Sequence, residues 1–318
     1  MLLTIDRLTV EVPGTARPLL DEVALHIAEG EVVGLVGESG SGKSTTAKAA
    51  LGLLPAGATA SGSVHVAGAD VLSLTGEELR RHRARTVSMV HQDPRAALNP
   101  VRRIGDFLLE RGADRTRAVE LLAAVGLSDP ERRMRQRPHE LSGGMLQRVV
   151  IAGALATPPR LLLADEATSA LDVTTQAEIL ALLRTLRAEH GAGLLFITHD
   201  LHLAAAYCDR VYVMYAGRVV EERTAAALFA DPAHPYTRGL LACSPTLGDT
   251  PRRIEPIPGK PPSLSDAFPG CPFTARCPDA QPDCSSRHPA AVTLPDGGTA
   301  ACHRIPAAVP APAERTAP

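Results

Sequence analysis

The 318-residue sequence has no tryptophan, and aromatic residues make up only 3% of it, with none before Phe107. No apolar run approaches the ~18 residues that cross a bilayer. The opening MLLTIDRLTVEV has neither the basic start nor the long apolar stretch of a secretory leader. The chain is therefore expected to stay in the cytoplasm, with any membrane work left to a partner. An excess of one charge is also missing: 33 Lys and Arg stand against 35 Asp and Glu, a formal net charge of −2. That balance argues against a dedicated nucleic-acid surface, and the basic run RRHRAR (80–85) reads as a solvated helix face. What is present, 45% apolar and 21% charged residues, suits a well-formed core in one large domain or two.

The apolar patterning has a consistent order. Short strand-like runs, LLTIDRLTVEV, EVALHIAEG, EVVGLVG and SVHVAG, occupy residues 1–68, and a helix starting in KSTTAKAALGLL is expected to continue until Pro55 and Gly57. TVSMVHQ (86–92) follows, then helical patterns over roughly 103–156, LLLAD (161–165), a helix from about Val173 to His190, and GLLFITHD (193–200). Apolar strands alternating with helices point to a mainly parallel sheet covered by helices. From Pro232 onward the composition changes, with 18 of the 27 prolines in this last part. Proline neither donates to a ladder nor continues a helix, so this region is expected to be irregular and to need another staple. The last dozen residues read as a disordered tail.

GESGSGKS (37–44) directly after the run EVVGLV fits G-x-x-x-x-G-K-[ST]. In such a loop the backbone N–H groups wrap a phosphate chain, here with Gly37, Gly40 and Gly42 where a side chain would obstruct. Lys43 opposes the β- and γ-phosphates and Ser44 is the Mg²⁺ ligand, with Glu38, Ser39, Ser41 and Thr45 completing the nucleotide-binding stretch. RLLLADE (160–166) is an apolar strand ending in two acids. Asp165 is placed to hold the Mg²⁺ hydration shell and Glu166 to polarise the water that attacks the γ-phosphate. LSGGM (141–145) puts Ser142, Gly143 and Gly144 at a helix start, where exposed N–H groups and a hydroxyl form a second anion site.

The phosphate loop, Gln92 after a strand, LSGGM, the pair Asp165-Glu166, SALD ending at Asp172, and THD (198–200) follow the order seen in ATP-binding-cassette ATPases. The resemblance covers about the first 230 residues. It implies an α/β P-loop ATPase cassette with a mainly parallel sheet, an antiparallel β part and a helical subdomain at about 95–150. It also implies that two cassettes pack head to tail, each ATP lying between the phosphate loop of one and the LSGG of the other. On this resemblance Glu166 is the general base or water positioner, His199 contacts the γ-phosphate, Gln92 touches Mg²⁺ or the water, and Asp172 faces the opposite cassette. One departure stands out: relatives stack adenine on an aromatic near the end of the first strand, where this chain has Val12 or a neighbour. Looser purine preference is the expectation.

HQDPRAALNP, LSGGMLQRV, ADEATSALDVTTQAEIL, HPYTRGLLACSP and FPGCPFTARCP are similar to the ATP-binding subunits of dipeptide and oligopeptide importers. That finer resemblance implies an ATP-binding domain over 1–235, an importer-type C-terminal region over 236–306, and the tail at 307–318. It implies two transmembrane permease subunits, a second cassette that is a paralogue or a copy of this chain, an extracytoplasmic binding protein acting indirectly, and no nucleic acid. The place of work would be the cytoplasmic face of the membrane. Importers of nickel or other small solutes share much of the pattern, and a soluble cassette ATPase acting on DNA or ribosomes is the rival from another class.

Cys271, Cys277, Cys284 and Cys302 crowd the last fifth of the chain in the spacing C-x5-C-x6-C-x17-C, which is neither paired CxxC knuckles nor a ferredoxin run. Four thiolates suit Zn²⁺ or a cubane cluster, and reduced thiols are the plain alternative. The importer resemblance implies a [4Fe–4S] cluster, with Zn²⁺ second and with His288 and His303 as substitute ligands.

Overall fold

The computed structural model describes residues 1–168, 171–244 and 256–306. The expected tail at 307–318 lies outside them, as does Ser169 of SALD. In chain order the strands are β1 (Leu3–Glu11), β2 (Leu20–Ile27), β3 (Val32–Val36), β4 (Thr59–Val66), β5 (Ala69–Asp70), β6 (Val87–Val90), β7 (Leu161–Asp165), β8 (Gly193–Ile197), β9 (Arg210–Tyr215), β10 (Arg218–Thr224), β11 (Val292–Thr293) and β12 (Thr299–Ala300). Two sheets result. An antiparallel sheet has the order β2-β1-β4-β5, and the main sheet has the order β11-β12-β10-β9-β3-β8-β7-β6. Its β9-β3-β8-β7-β6 block is parallel throughout. Every residue of β3, β7 and β8 is buried, which explains why these strands read as continuous apolar runs instead of alternating ones.

The phosphate loop leads into α1 (Lys43–Ala49), which ends well before Pro55. Gly52, in the left-handed region at φ 63°, turns the chain away. The carbonyls at that helix end are satisfied from α2 (Gly76–Arg85): His82 bonds Ala50 O at 2.8 Å, and Arg83 donates to Leu51 O and Gly52 O at 2.8 and 2.9 Å. The basic run is thus only partly a solvated face. Arg80 is exposed and pairs with Glu77, whereas His82 is buried against α1.

After β6 come α3 (Pro94–Ala97), α4 (Ile104–Glu110), α5 (Arg115–Ala124), α6 (Pro130–Arg135) and α7 (Gly143–Ala154), the helical part the sequence predicts. Ile104, Leu108, Leu121, Met134 and Val149 pack into one core with one face of the main sheet. The other face, with Val33, Leu35 and Leu163, forms a second core with α1 and the antiparallel sheet. β7 is followed by α8 (Val173–His190), β8 by α9 (Leu201–Tyr207), and β10 by α10 (Ala225–Ala230) and α11 (Pro235–Ala242).

The proline-rich part is held differently from the cysteine staple expected of it. β12 pairs with β10 in the register Glu221↔Ala300 and Glu222↔Thr299, and β11 pairs with β12, so residues 292–300 extend the main sheet. Phe273, 2% exposed, sits among Tyr215 and Tyr236 with ring centroids 5.2 and 5.3 Å away. A short helix, α12 (Pro282–Ser286), follows. Backbone pairing and an aromatic cluster therefore carry this region.

Beside that cluster His234 caps α11, its Nδ1 accepting the Tyr236 N–H at 3.0 Å. Burial pushes its pKa down to about 3. In the unfolded chain the ring titrates near 6.5. Above that value both states are neutral at this site. Between about 6.5 and 3 only the unfolded state takes up the proton, so stability falls with falling pH and levels off below 3. In urea titrations from pH 7.5 to 4, His234→Asn, which keeps a capping acceptor without the titration, is expected to show a shallower acid loss than the parent.

Candidate nucleotide site

The site is built where β3, β6, β7 and β8 end at the same edge. Gly37 leaves β3 at φ 148°, and a Cβ there would run into the Met214 carbonyl oxygen. Gly42, at φ 104°, would place a Cβ 2.7 Å from Leu20 Cδ2, and Gly40 has φ 79°. The loop between them, with Ser39 and Gly40 exposed at its tip, curls over Lys43, which is only 6% exposed. The Lys43 ammonium donates to Gly37 O and Glu38 O, both at 2.8 Å, and lies 3.5 Å from Ser41 Oγ. Burial holds its pKa below the ordinary lysine value, with Glu166, Asp165 and Glu38 acting in the opposite sense. Thr45 is half-buried on the first turn of α1.

Ser44 Oγ donates to Asp165 Oδ1 at 3.0 Å, joining the start of α1 to the end of β7. Burial raises the Asp165 pKa, and the Ser44 hydrogen bond, Lys48 and Lys43 counter it. A hydroxyl and a carboxylate held side by side, beside a lysine and a loop of N–H groups, make a hard-oxygen pair suited to Mg²⁺. The next residue, Glu166, takes φ 48°, a conformation that costs a non-glycine residue about 1–3 kcal/mol. Its N–H donates to Ile197 O at 3.0 Å. This sharp turn at the strand end directs the Glu166 carboxylate to Gln92 and His199: Gln92 Nε2 donates to Glu166 Oε2 at 2.9 Å, and His199 Nδ1 lies 3.5 Å from the same oxygen.

Other residues singled out from the sequence stand apart from this cluster. Ser142 caps α7, its Oγ accepting the Met145 N–H at 3.4 Å, with Ser142 and Gly143 exposed and Gly144 half-exposed. No hydrogen bond or ion pair among the described residues ties them to the phosphate loop. Asp172 caps α8, accepting from Thr175 N–H at 3.0 Å and Thr175 Oγ1 at 2.8 Å. Those two bonds lower its pKa. Val12 lines a cavity of about 360 Å³ together with Thr15, Arg17 and Gly57, and no aromatic ring lines it.

The metal centre expected at the four cysteines finds no support in the geometry. They share a neighbourhood, since Cys271 N–H donates to Cys284 O at 2.7 Å and Cys271, Cys284 and Cys302 act on one another electrostatically. All four are free, and burial raises the pKa of Cys271, Cys277 and Cys302. Among the described residues no group of three or more His, Cys, Asp or Glu is arranged to hold a metal ion. His303 is bonded to Arg287 O, and His288, half-buried, lines a cavity together with Cys271 and Phe273. Nothing among the described residues supports the iron–sulfur or zinc expectation, and sheet pairing and ring packing hold the region.

Two residues that pattern reading passed over belong to the site's framework. Gln147, 1% exposed on α7, donates to Ala167 O at 2.8 Å and to His91 O at 3.4 Å, so one amide links the helical part to the segments after β7 and β6. The LQRV that follows LSGGM was its only signal. Arg276, far along the chain, reaches Glu38 in the phosphate loop. No local pattern announces it.

A family model described as "ABC transporter" matches residues 20–169, and one described as "Oligopeptide/dipeptide transporter, C-terminal region" matches residues 220–284. The chain is 48% identical over 293 residues to an oligopeptide transport ATP-binding protein of Mycobacterium tuberculosis, covering 89% of this chain and 48% of that one. It thus spans about half the length of the mycobacterial relative. A counterpart from Escherichia coli is 44% identical over 292 residues, covering 89% of this chain and 87% of the relative. Among solved structures, a dimeric ATP-binding cassette in a post-hydrolysis state with ADP and Pi is 32% identical, with a TM-score of 0.63 over 70% of this chain and 98% of that one.

Gln147→Ala is expected to cost about 1–3 kcal/mol by leaving buried carbonyls without a donor. Chemical denaturation measures it. A loss below 0.5 kcal/mol, on the order of a surface substitution, would deny the amide its linking role.

Proposed function

Because the chain belongs to the ATP-binding-cassette ATPases, in the branch of oligopeptide and dipeptide transport ATP-binding proteins, we propose that it is the ATP-hydrolysing subunit of a membrane importer for small peptides. The observation that carries this reading is the meeting of Ser44 with Asp165, and of Gln92 and His199 with Glu166, at one edge of the parallel sheet. The match of residues 220–284 to the C-terminal region of oligopeptide and dipeptide transporters supports peptides as the cargo class. The division into an ATP-binding part over 1–235 and a C-terminal region over 236–306 belongs to the same proposal.

In this mechanism the phosphate loop binds the ATP phosphates through its N–H groups. Lys43 exchanges its bonds to the Gly37 and Glu38 carbonyls for the β- and γ-phosphate oxygens. Mg²⁺, when held by Ser44 and Asp165, neutralises charge on the phosphates. Gln92 and Glu166 orient the attacking water, Glu166 accepts its proton, and His199 contacts the γ-phosphate and supports the attack. Gln92 sits at the start of the helical part, so occupancy of the site is coupled to the helices that face the permease.

Ser142, Gly143 and Gly144 would contribute from a second cassette. Their exposed position at the head of α7 suits the closing of two cassettes around ATP, and the dimeric arrangement of the ADP-bound relative gives the precedent. Asp172, at the exposed start of α8, would meet the same partner. Binding drives closure onto two permease subunits and hydrolysis reopens the pair. Among the described residues no helix is long and apolar enough to cross a membrane, so membrane association is proposed to be peripheral and through those partners.

Glu166→Gln is expected to retain ATP while lowering turnover at least about a hundredfold, the range of general-base loss. Undiminished phosphate release by that variant would refute the assignment of the base. Nucleotide competition gives a second check. With Val12 or a neighbour in place of a stacking aromatic, GTP is expected to displace ATP within about tenfold of equal potency, the size of one lost stacking contact; a preference for ATP beyond a hundredfold would overturn that expectation.

A further inference from the structure

Glu38 is the second residue of the phosphate loop, and it is held on three sides. Its carboxylate forms a two-pronged ion pair with Arg276, Oε2 to Nη1 at 2.6 Å and Oε1 to Nη2 at 2.9 Å. Its N–H donates to the Tyr236 hydroxyl at 2.8 Å, and its carbonyl accepts from Lys43 Nζ at 2.8 Å. The arginine is itself fixed. Its side chain is 5% exposed, its Nε donates to Pro258 O at 2.8 Å and its Nη1 to the Tyr215 hydroxyl at 3.3 Å. The guanidinium also lies about 6 Å from the ring centres of Tyr215 and Phe273. Two residues 238 positions apart are thus joined by the strongest geometry open to an arginine–carboxylate pair.

We propose that Arg276 is a positioning residue for nucleotide binding: through Glu38 it clamps the phosphate loop, so that the C-terminal region is a working part of the ATP site. This rests on the reading of that loop as an ATP site. The physical reason lies in the loop's composition. Gly37, Gly40 and Gly42 give it its wrap, and glycine loses more conformational freedom on ordering than any other residue. A flexible loop must meet that cost when the ligand arrives; a clamped one has met it on folding. Glu38 is also the residue whose carbonyl receives Lys43, so the clamp sets where the lysine rests before it turns to phosphate. A second tie from the same region acts on the other side of the site. The Ala16 N–H donates to Leu264 O at 3.0 Å, and Arg17 Nε to Ser263 O at 3.1 Å, next to the cavity that Val12 lines.

The test uses the full chain with Mg·ATP and a fluorescent ATP analogue, comparing the parent with Arg276→Ala, Arg276→Lys, Glu38→Gln, the double variant Glu38→Gln/Arg276→Ala, and Lys43→Ala. Arg276→Ala is expected to weaken ATP binding by about 10- to 100-fold, the usual result of removing one member of a buried, hydrogen-bonded charge pair. Arg276→Lys is expected to recover part of that loss. The double variant is expected to bind no worse than the weaker single variant, because both act through one contact. Additive losses in the double variant, or parent-like affinity in Arg276→Ala alongside a clear loss in Lys43→Ala, would overturn the clamp and leave the ATP site standing. Parent protein that does not bind ATP would overturn the site and the clamp together. Should Arg276→Ala fail to fold, Glu38→Gln and Arg276→Lys carry the decision: parent-like affinity in both rejects the proposal.

Discussion

Everything at the nucleotide site depends on the parallel register of β3, β8, β7 and β6. Leu35 lies opposite Ile197, Asp165 opposite Ile197, and Val90 opposite Ala164, so the four strands finish level. Each leads into a residue of the candidate site: the loop with Lys43 follows β3, Gln92 follows β6, Glu166 follows β7 and His199 follows β8. Because the side-chain period of a strand is two, a slip of one residue in any pair would exchange side chains between the two cores and carry these groups out of reach. The two cores that sandwich the sheet make such a slip costly, and the hydrophobic packing thereby sets the positions of polar atoms it does not touch.

The local chemistry at that edge favours a site that is charged yet dry. Lys43 is buried with its ammonium on loop carbonyls, Asp165 is buried against Ser44, and burial acts on the two pKa values in opposite directions. Both shifts have one cause, the cost of charge away from water. Both would be relieved by a ligand that brings phosphate to the lysine and a divalent cation to the carboxylate. Gln92, Glu166 and His199 are more exposed and hold one another through the Glu166 carboxylate.

The C-terminal region shows how a stretch poor in regular structure is still held. Nothing in FPGCPFTARCP promises a strand or a helix of any length, and the crowded cysteines suggested a metal staple. Instead, β12 borrows the free edge of β10, Phe273 fills a place among Tyr215 and Tyr236, and Arg276 finds the loop carboxylate. Sheet-edge pairing and aromatic packing need partners distant in sequence, which is why local reading pointed to the cysteines.

The sequence by itself determined the elements and the residue types of the candidate nucleotide site. GESGSGKS, LLLADE, LSGGM and FITHD are each legible within a few residues, because a glycine wrap, a strand-terminal acid or a helix cap is a local physical event. It also specified the alternation that makes the sheet parallel. Tertiary structure alone decided which distant groups meet: Arg83 with the end of α1, Gln147 with the carbonyls after β6 and β7, and Arg276 with Glu38. Those contacts join residues with no fixed separation along the chain, and only the packed cores bring their partners within hydrogen-bonding distance.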